Sequence, residues 1–196
     1  MPTFDYDFRY LQAAIDQLDS YLLSKDIYRP IGIKPPSGEP PYPQLTLGSL
    51  LLAKERAQTT ALSLDQQAKL SKLLNQLEAI CSKWRSAWGR KSTAEFRARL
   101  NLWSDFLNEY RSHPDANDDR YSYEVSRRVM LDLLHPDALD LPSADEQLLA
   151  GLDSLLKVVM ISGKFIWDDG LQNTFPEKPY WYLYGYLPKK LDQKES

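Results

Sequence analysis

The chain has 196 residues, of which 43% are hydrophobic and 26% are charged, the proportions of a globular protein that is long enough to bury a core. Its 24 basic and 27 acidic residues give a net charge of −3, which excludes an overall positive field for nucleic acid or an anionic membrane. Residues 1–10 carry acids where a signal peptide needs lysine or arginine, and no segment approaches the roughly 20 apolar residues that span a bilayer, so we predict a soluble cytoplasmic protein.

The first predicted element is a helix from about Tyr6 to Ser24. Its apolar residues recur at helical spacing, and they are Leu11, Ala14, Ile15, Leu18, Tyr21 and Leu22. Residues 28–45 then contain six prolines and two glycines, which exclude both a helix and a central strand. This Pro-rich loop is interpreted either as a connector laid across the helices or as a polyproline ligand for an aromatic groove, with Pro40-Pro41-Tyr42-Pro43 as a loose match.

A second helix is predicted from an N-cap at Thr46 to about Thr60. The longest predicted helical segment of the chain follows it. Residues 63–112 contain no proline and are rich in strong helix formers. Ser63 and Gln66 form a capping-box pattern at the start. We predict one continuous, bent helix here. The alternative is two helices separated by a turn at Gly89, where the apolar stripe changes direction.

The tetrapeptide His-Pro-Asp-Ala occurs at residues 113–116 and again at residues 135–138, after two different predicted helices. Its first three residues resemble the signature loop of J-domain co-chaperones, which also lies between two helices. The resemblance covers three residues and this context, and the Tyr-x-x-Leu-Gly pattern of that family's first helix is missing. We interpret both copies as helix ends, because histidine is favourable at a helix C-terminus and proline stops a helix.

The last predicted helices run from about Ser122 to Leu134 and from a capping box at Ser143 and Glu146 to a cap at Gly163. The tail, residues 164–196, is rich in aromatic side chains and is interrupted by prolines. We predict that it is mostly irregular and that it folds back on the helices, because its rings would otherwise expose a large apolar surface.

The sequence lacks the usual motifs of a catalytic or metal site. The eight glycines fit neither a phosphate loop nor a dinucleotide fingerprint, and the two histidines and one cysteine are widely separated. Acidic residues do not fall on the apolar helix faces, where a carboxylate metal site would need them. Cys81 lies on such a face and is interpreted as an inert core thiol in a reducing compartment. We therefore predict no enzyme activity, no metal and no cofactor.

The candidate functional residues are basic and lie in the middle of the long predicted helix, where one acid, Glu95, accompanies them. They are Lys83, Arg85, Arg90, Lys91, Arg97 and Arg99. Such a patch can pair internally with the acidic loop 115–119 or with Asp137, Asp140 and Asp145; it can bind an acidic protein partner; or it can contact phosphates of nucleic acid. Lys91 and Arg99 continue the line of Trp84 and Trp88, which are interpreted as core residues.

These patterns predict a single all-α domain over residues 1–196, an irregular bundle of about five helices with one long central helix. For function, they favour a non-catalytic protein-interaction subunit or adaptor that uses the basic mid-helix residues. The alternative is a small helical nucleic-acid-binding subunit that uses the same residues on the phosphate backbone.

Overall fold

The computed structural model describes residues 3–59 and 62–189, and these form six α-helices and one two-stranded antiparallel sheet. The elements are α1 (Phe4–Leu23), α2 (Leu47–Thr59), α3 (Leu64–Lys83), α4 (Arg85–Ser112), α5 (Tyr121–Leu134), α6 (Ser143–Val159), β1 (Ile161–Phe165) and β2 (Tyr184–Tyr186). The predicted all-α class and long central helix are confirmed. The predicted end of the second helix at Thr60, and the end of the tail at residues 190–196, lie outside the described residues.

The chain divides into two compact units. The first contains the residues up to Phe96 together with Asp132–Asp140, and the second contains Arg97–Leu131 and the residues from Leu141 onward. Helices α4 and α5 each contribute residues to both units. The prediction of a single domain is not tested by this division and stays a prediction.

In the first unit, α1 packs against α2 and α3 and presents a continuous buried face. The Pro-rich loop crosses α1, as the connector interpretation expected. The hydroxyl of Tyr6 donates to the carbonyl of Pro41 at 3.2 Å, and the hydroxyl of Tyr10 donates to the carbonyl of Gln44 at 3.2 Å. The loop is held here by tyrosine hydroxyls rather than by a regular ladder of backbone hydrogen bonds.

The prediction of one continuous helix over residues 63–112 is wrong at Trp84. This residue has φ −113° and ψ 31°, outside the helical region, and it separates α3 from α4. The backbone still follows the helix closely, since the Trp84 N–H donates to the Ile80 carbonyl at 2.9 Å and the Trp88 N–H donates to the Trp84 carbonyl at 2.8 Å. The alternative break at Gly89 is also wrong, because Gly89 lies inside α4. The indole N–H of Trp84 donates to the carboxylate of Asp19 on α1, a tertiary contact that the helical pattern does not contain.

In the second unit, aromatic side chains form the core. The rings of Trp103 and Phe106 on α4 lie 5.6 Å apart, and Phe106 lies 6.5 Å from the ring of Tyr121 on α5. The tail packs onto this core, since the hydroxyl of Tyr121 donates to the carbonyl of Tyr182 at 2.6 Å and the hydroxyl of Tyr110 donates to the carbonyl of Pro188 at 2.8 Å. The described part of the tail therefore folds back, as predicted.

Two predicted details of this unit are wrong. Helix α6 begins after Pro142 without a side-chain cap, so the Ser143 capping box does not form. It ends at Val159, well before Gly163, because residues 161–165 form strand β1 and pair with β2 of the tail. The sheet was missed because its partner strands are distant in sequence and β2 has three residues.

Among the described helices, none combines the length and the apolar character that crossing a bilayer requires.

Candidate interaction surface

The six predicted basic residues have different environments. Lys83 is the last residue of α3 and Arg85 is the first residue of α4. Arg90 and Lys91 follow on α4 within the first unit, whereas Arg97 and Arg99 belong to the second unit. Four of the six side chains belong to exposed residues, and Lys91 and Arg99 are buried.

Lys83 lies in an exposed ion pair with Asp19. Its Nζ is 3.0 Å from the Asp19 carboxylate, and the lysine side chain remains 61% exposed. The Lys83 Nζ also lies 4.9 Å from the centroid of the Trp84 ring. The hydrogen bond from Trp84, together with the one from Lys83, lowers the pKa of Asp19, so this carboxylate is ionised at neutral pH.

Arg85 lies near a carboxylate that also binds a buried tryptophan. The Arg85 guanidinium is 3.7 Å from Asp137 and is 75% exposed, while the indole N–H of Trp88 donates to the same carboxylate at 3.0 Å. Asp137 is the acid of the second His-Pro-Asp-Ala segment, which forms a short 3-10 turn after α5. The turn therefore supplies a hydrogen-bond acceptor to α4 in addition to ending α5.

Arg90 is exposed and has no carboxylate within ion-pair distance in the described part of the chain. Side chains three and four residues apart are neighbours on a helix surface. At these positions Arg90 has Ser86, Ala87, Thr93 and Ala94, none of which is acidic. Its guanidinium is therefore available to a partner.

Lys91 binds the C-terminal end of α1. Its Nζ donates to the carbonyls of Ser24 at 2.9 Å and Asp26 at 2.7 Å, and it lies 4.5 Å from the centroid of the Tyr21 ring. Burial lowers the pKa of Lys91, and the carboxylate of Asp26 partly opposes this shift. A cation is favourable at this end of a helix, where the free carbonyls carry partial negative charge. Lys91 is therefore a structural residue within the first unit.

Arg97 and Arg99, in the second unit, also differ from each other. The Arg97 guanidinium is exposed and lies 3.2 Å from Asp145 of α6, whereas Arg99 is buried. Internal pairing with Asp137 and Asp145, one of the three predicted alternatives, is thus observed for Arg85 and Arg97.

The sequence contained a signal for the two buried cations. Lys91 and Arg99 lie on the line of Trp84 and Trp88, and a side chain on an apolar stripe is expected to be buried even when it is charged. The hydrogen-bond acceptors of Lys91 could not be predicted from the sequence, because they are backbone carbonyls at the end of another helix.

The expectation that no acid lies on an apolar face is wrong. Asp7, Glu95 and Glu124 are all buried. Asp7 accepts two hydrogen bonds from Arg56, and Glu95 accepts one from the backbone N–H of Gly48 at 3.0 Å. Burial raises the pKa of Asp7, while the hydrogen bond from Arg56 opposes that shift. Glu124 pairs with Arg120 at 3.0 Å and with Arg127, so each of the three acids is bound to a cation or to a helix N-terminus, as buried charges require.

The described residues contain no cluster of metal-binding side chains, and burial raises the pKa of the one cysteine among them. No three of their histidine, cysteine, aspartate and glutamate side chains lie close enough together to hold a metal ion. Cys81 is half-buried, and burial raises the pKa of its thiol to about 11, so the thiol is protonated at neutral pH.

Comparison of the chain with protein-family models, with curated proteins and with solved structures finds no match.

Proposed function

We propose that this protein is a non-catalytic interaction subunit or adaptor, and that Lys83, Arg85 and Arg90 bind an acidic surface of a protein partner. These three residues are called the basic face below. The observation that carries the proposal is Arg90, an exposed guanidinium with no acidic neighbour on its own helix and no ion-pair partner among the described residues.

The ion pairs of Lys83 and Arg85 are compatible with exchange for a partner's carboxylates. Both cations are more than half exposed, and exposed ion pairs typically contribute about 0–1 kcal/mol to stability. A partner carboxylate could therefore replace Asp19 or Asp137 at little cost. Arg90 would supply new pairing with no internal bond to break.

Two observations favour an acidic protein over nucleic acid. Trp84 donates to Asp19 and is half-buried, and Trp88 is buried and donates to Asp137, so neither indole offers a free platform for base stacking. Burial of Lys91 and Arg99 also removes two cations from the predicted patch. What remains is a small group of cations on a chain of net charge −3, which is a weak basis for tracking a phosphate backbone.

The test is affinity capture from cells of the source organism with the wild-type chain and with Arg90→Glu. Any protein retained by the wild type alone is then purified and titrated into the wild-type chain by calorimetry. We expect Arg90→Glu to weaken binding at least tenfold, or by about 1.4 kcal/mol. We also expect the wild-type affinity to fall as salt is added, because salt screens exposed charges.

The matched control is Arg111→Glu, the same substitution at another exposed arginine of α4. Circular dichroism confirms that both variants are folded. Equal binding by Arg90→Glu and Arg111→Glu would contradict the proposal, as would capture that disappears on nuclease treatment.

A further inference from the structure

Residues 39–44 of the Pro-rich loop lie between two points at which the backbone is held by hydrogen bonds. A turn precedes this segment, in which the Glu39 N–H donates to the Pro36 carbonyl at 3.2 Å and Gly38 has φ 85°, the left-handed conformation that glycine adopts readily. The segment ends at Leu45, which exchanges backbone hydrogen bonds with Arg29 at 2.7 and 3.1 Å. Both ends are therefore fixed.

The sequence of this segment favours the polyproline II conformation. Proline fixes φ near −65°, and the residue before a proline is restricted to extended conformations. In Pro40-Pro41-Tyr42-Pro43 each residue is subject to one or both restrictions. Within the described chain, residues 40–44 make no backbone-to-backbone hydrogen bond, as is typical of polyproline II.

Exposure along the segment repeats every three residues, the period of polyproline II. Glu39 and Tyr42 are half-buried, whereas Pro40, Pro41, Pro43 and Gln44 are exposed. This pattern is the one that a polyproline II rod with three edges shows. One edge, formed by Glu39 and Tyr42, faces the protein, and the edges Pro40/Pro43 and Pro41/Gln44 face outward.

Helix α1 fixes the inner edge. The ring of Tyr42 lies 4.6 Å from the ring of Tyr6 and 5.8 Å from that of Tyr10, measured between centroids. The Thr3 N–H donates to the Glu39 carboxylate at 3.3 Å. The hydroxyls of Tyr6 and Tyr10 bind the carbonyls of Pro41 and Gln44, as described above. These contacts bind the backbone carbonyls of Pro41 and Gln44 and leave the residues Pro40, Pro41, Pro43 and Gln44 exposed.

We propose that residues 39–44 are a preformed polyproline II ligand, and that the edges Pro40/Pro43 and Pro41/Gln44 dock into the aromatic-lined groove of a partner domain. Pro40 and Pro43 have the Pro-x-x-Pro spacing that such grooves recognise. Because α1 already fixes the rod, binding does not require ordering a flexible segment, and preorganisation of this kind increases affinity. This second surface does not depend on the basic face.

The test uses purified SH3, WW and EVH1 domains, each titrated into the full chain by calorimetry. We expect at least one of these domains to bind, and the double variant Pro40→Ala/Pro43→Ala to weaken that binding at least tenfold. Pro30→Ala is the matched control, because Pro30 is exposed and lies in the same loop but outside the rod. It should change the dissociation constant less than twofold. Absence of binding by every domain, or equal binding by the double variant, would overturn the proposal.

A second comparison tests the role of α1. The domain that binds the chain is titrated with a free synthetic peptide of residues 37–45. We expect the chain to bind more tightly than the peptide, because the peptide must be ordered on binding. If the peptide binds and the chain does not, α1 hides the recognised edges and the proposal is wrong. Arg90→Glu should leave domain binding unchanged, which separates this result from the test of the basic face.

Discussion

Single residues in this chain have roles that their identity alone does not indicate, and Gly89 is the clearest case. From sequence it suggested a turn, yet it lies within α4. A Cβ at this position would lie 2.9 Å from Cγ and 3.1 Å from Cβ of Leu139. The Leu139 N–H donates to the Gly89 carbonyl at 3.3 Å, and the hydroxyl of Thr93 donates to the carbonyl of Leu139 at 2.6 Å. Gly89 therefore permits the segment after α5 to approach α4 closely.

We predict that Gly89→Ala lowers the free energy of unfolding by about 1 kcal/mol. Overpacking against Leu139 lowers the free energy of unfolding by about 1–3 kcal/mol, whereas the higher helix propensity of alanine raises it by about 1 kcal/mol. Urea denaturation measures the difference. In a Leu139→Ala background the Cγ contact at 2.9 Å is removed and the Cβ contact at 3.1 Å remains, so the same substitution should destabilise the protein less.

Gly151 on α6 is the matched control for Gly89. A Cβ there would meet no atom within 4 Å, so Gly151→Ala should stabilise the protein by up to about 1 kcal/mol through helix propensity alone. Equal effects at both positions would contradict the role given to Leu139.

At the scale of elements, two helices whose first residues have the same capping-box pattern begin in different ways. Ser63 with Gln66 and Ser143 with Glu146 have the same capping-box spacing. The first forms reciprocally, with the Ser63 N–H donating to the Gln66 side chain at 3.0 Å and the Gln66 N–H donating to the Ser63 hydroxyl at 3.3 Å. The second does not form, because α6 begins one residue earlier, with Pro142 in the N-cap position. The N-cap of α6 is therefore Pro142, and not Ser143 as the sequence pattern predicted.

This contrast gives a paired prediction. Ser63→Ala should lower the free energy of unfolding by about 1 kcal/mol, the usual cost of a lost N-cap. Ser143→Ala should change it by less than about 0.5 kcal/mol, the usual range for surface substitutions. Urea denaturation of the two variants checks both values, and a larger loss at Ser143 would show that the α6 box forms in solution.

The positions of most helices could be predicted because each depends on its own amphipathic pattern and its flanking prolines. The interruption at Trp84 could not, because it accompanies a hydrogen bond to Asp19 on another helix. The β1–β2 sheet could not either, since Ile161 pairs with Tyr186 across a long stretch of sequence. The basic residues of the candidate surface could be identified from the sequence. Which of them are exposed and which are buried depends on tertiary partners such as the Ser24 carbonyl, and composition does not reveal these partners.

For the molecule as a whole, binding that depends on net charge and binding that depends on a local site respond differently to the same substitution at two arginines. Arg90→Glu and Arg111→Glu lower the net charge equally, so any effect of overall charge must be the same in both variants. Only a local site can distinguish them. Measured with nucleic acid as the ligand, the pair therefore tests whether the basic face contacts phosphates, with no knowledge of a protein partner.

We predict that a single-stranded oligo-dT and a short B-DNA duplex bind the chain weakly at about 150 mM salt, and that both variants reduce this binding equally. If instead the three cations of the basic face contacted phosphates, the logarithm of the affinity for a B-DNA duplex would fall with the logarithm of salt concentration with a slope of about −2.7. Fluorescence anisotropy between about 50 and 200 mM salt covers the range in which such contacts are lost. Tight binding that Arg90→Glu abolishes and Arg111→Glu preserves would assign the basic face to nucleic acid. Equal reduction leaves the acidic protein surface as its partner, because a weak interaction that depends only on net charge needs no particular arginine.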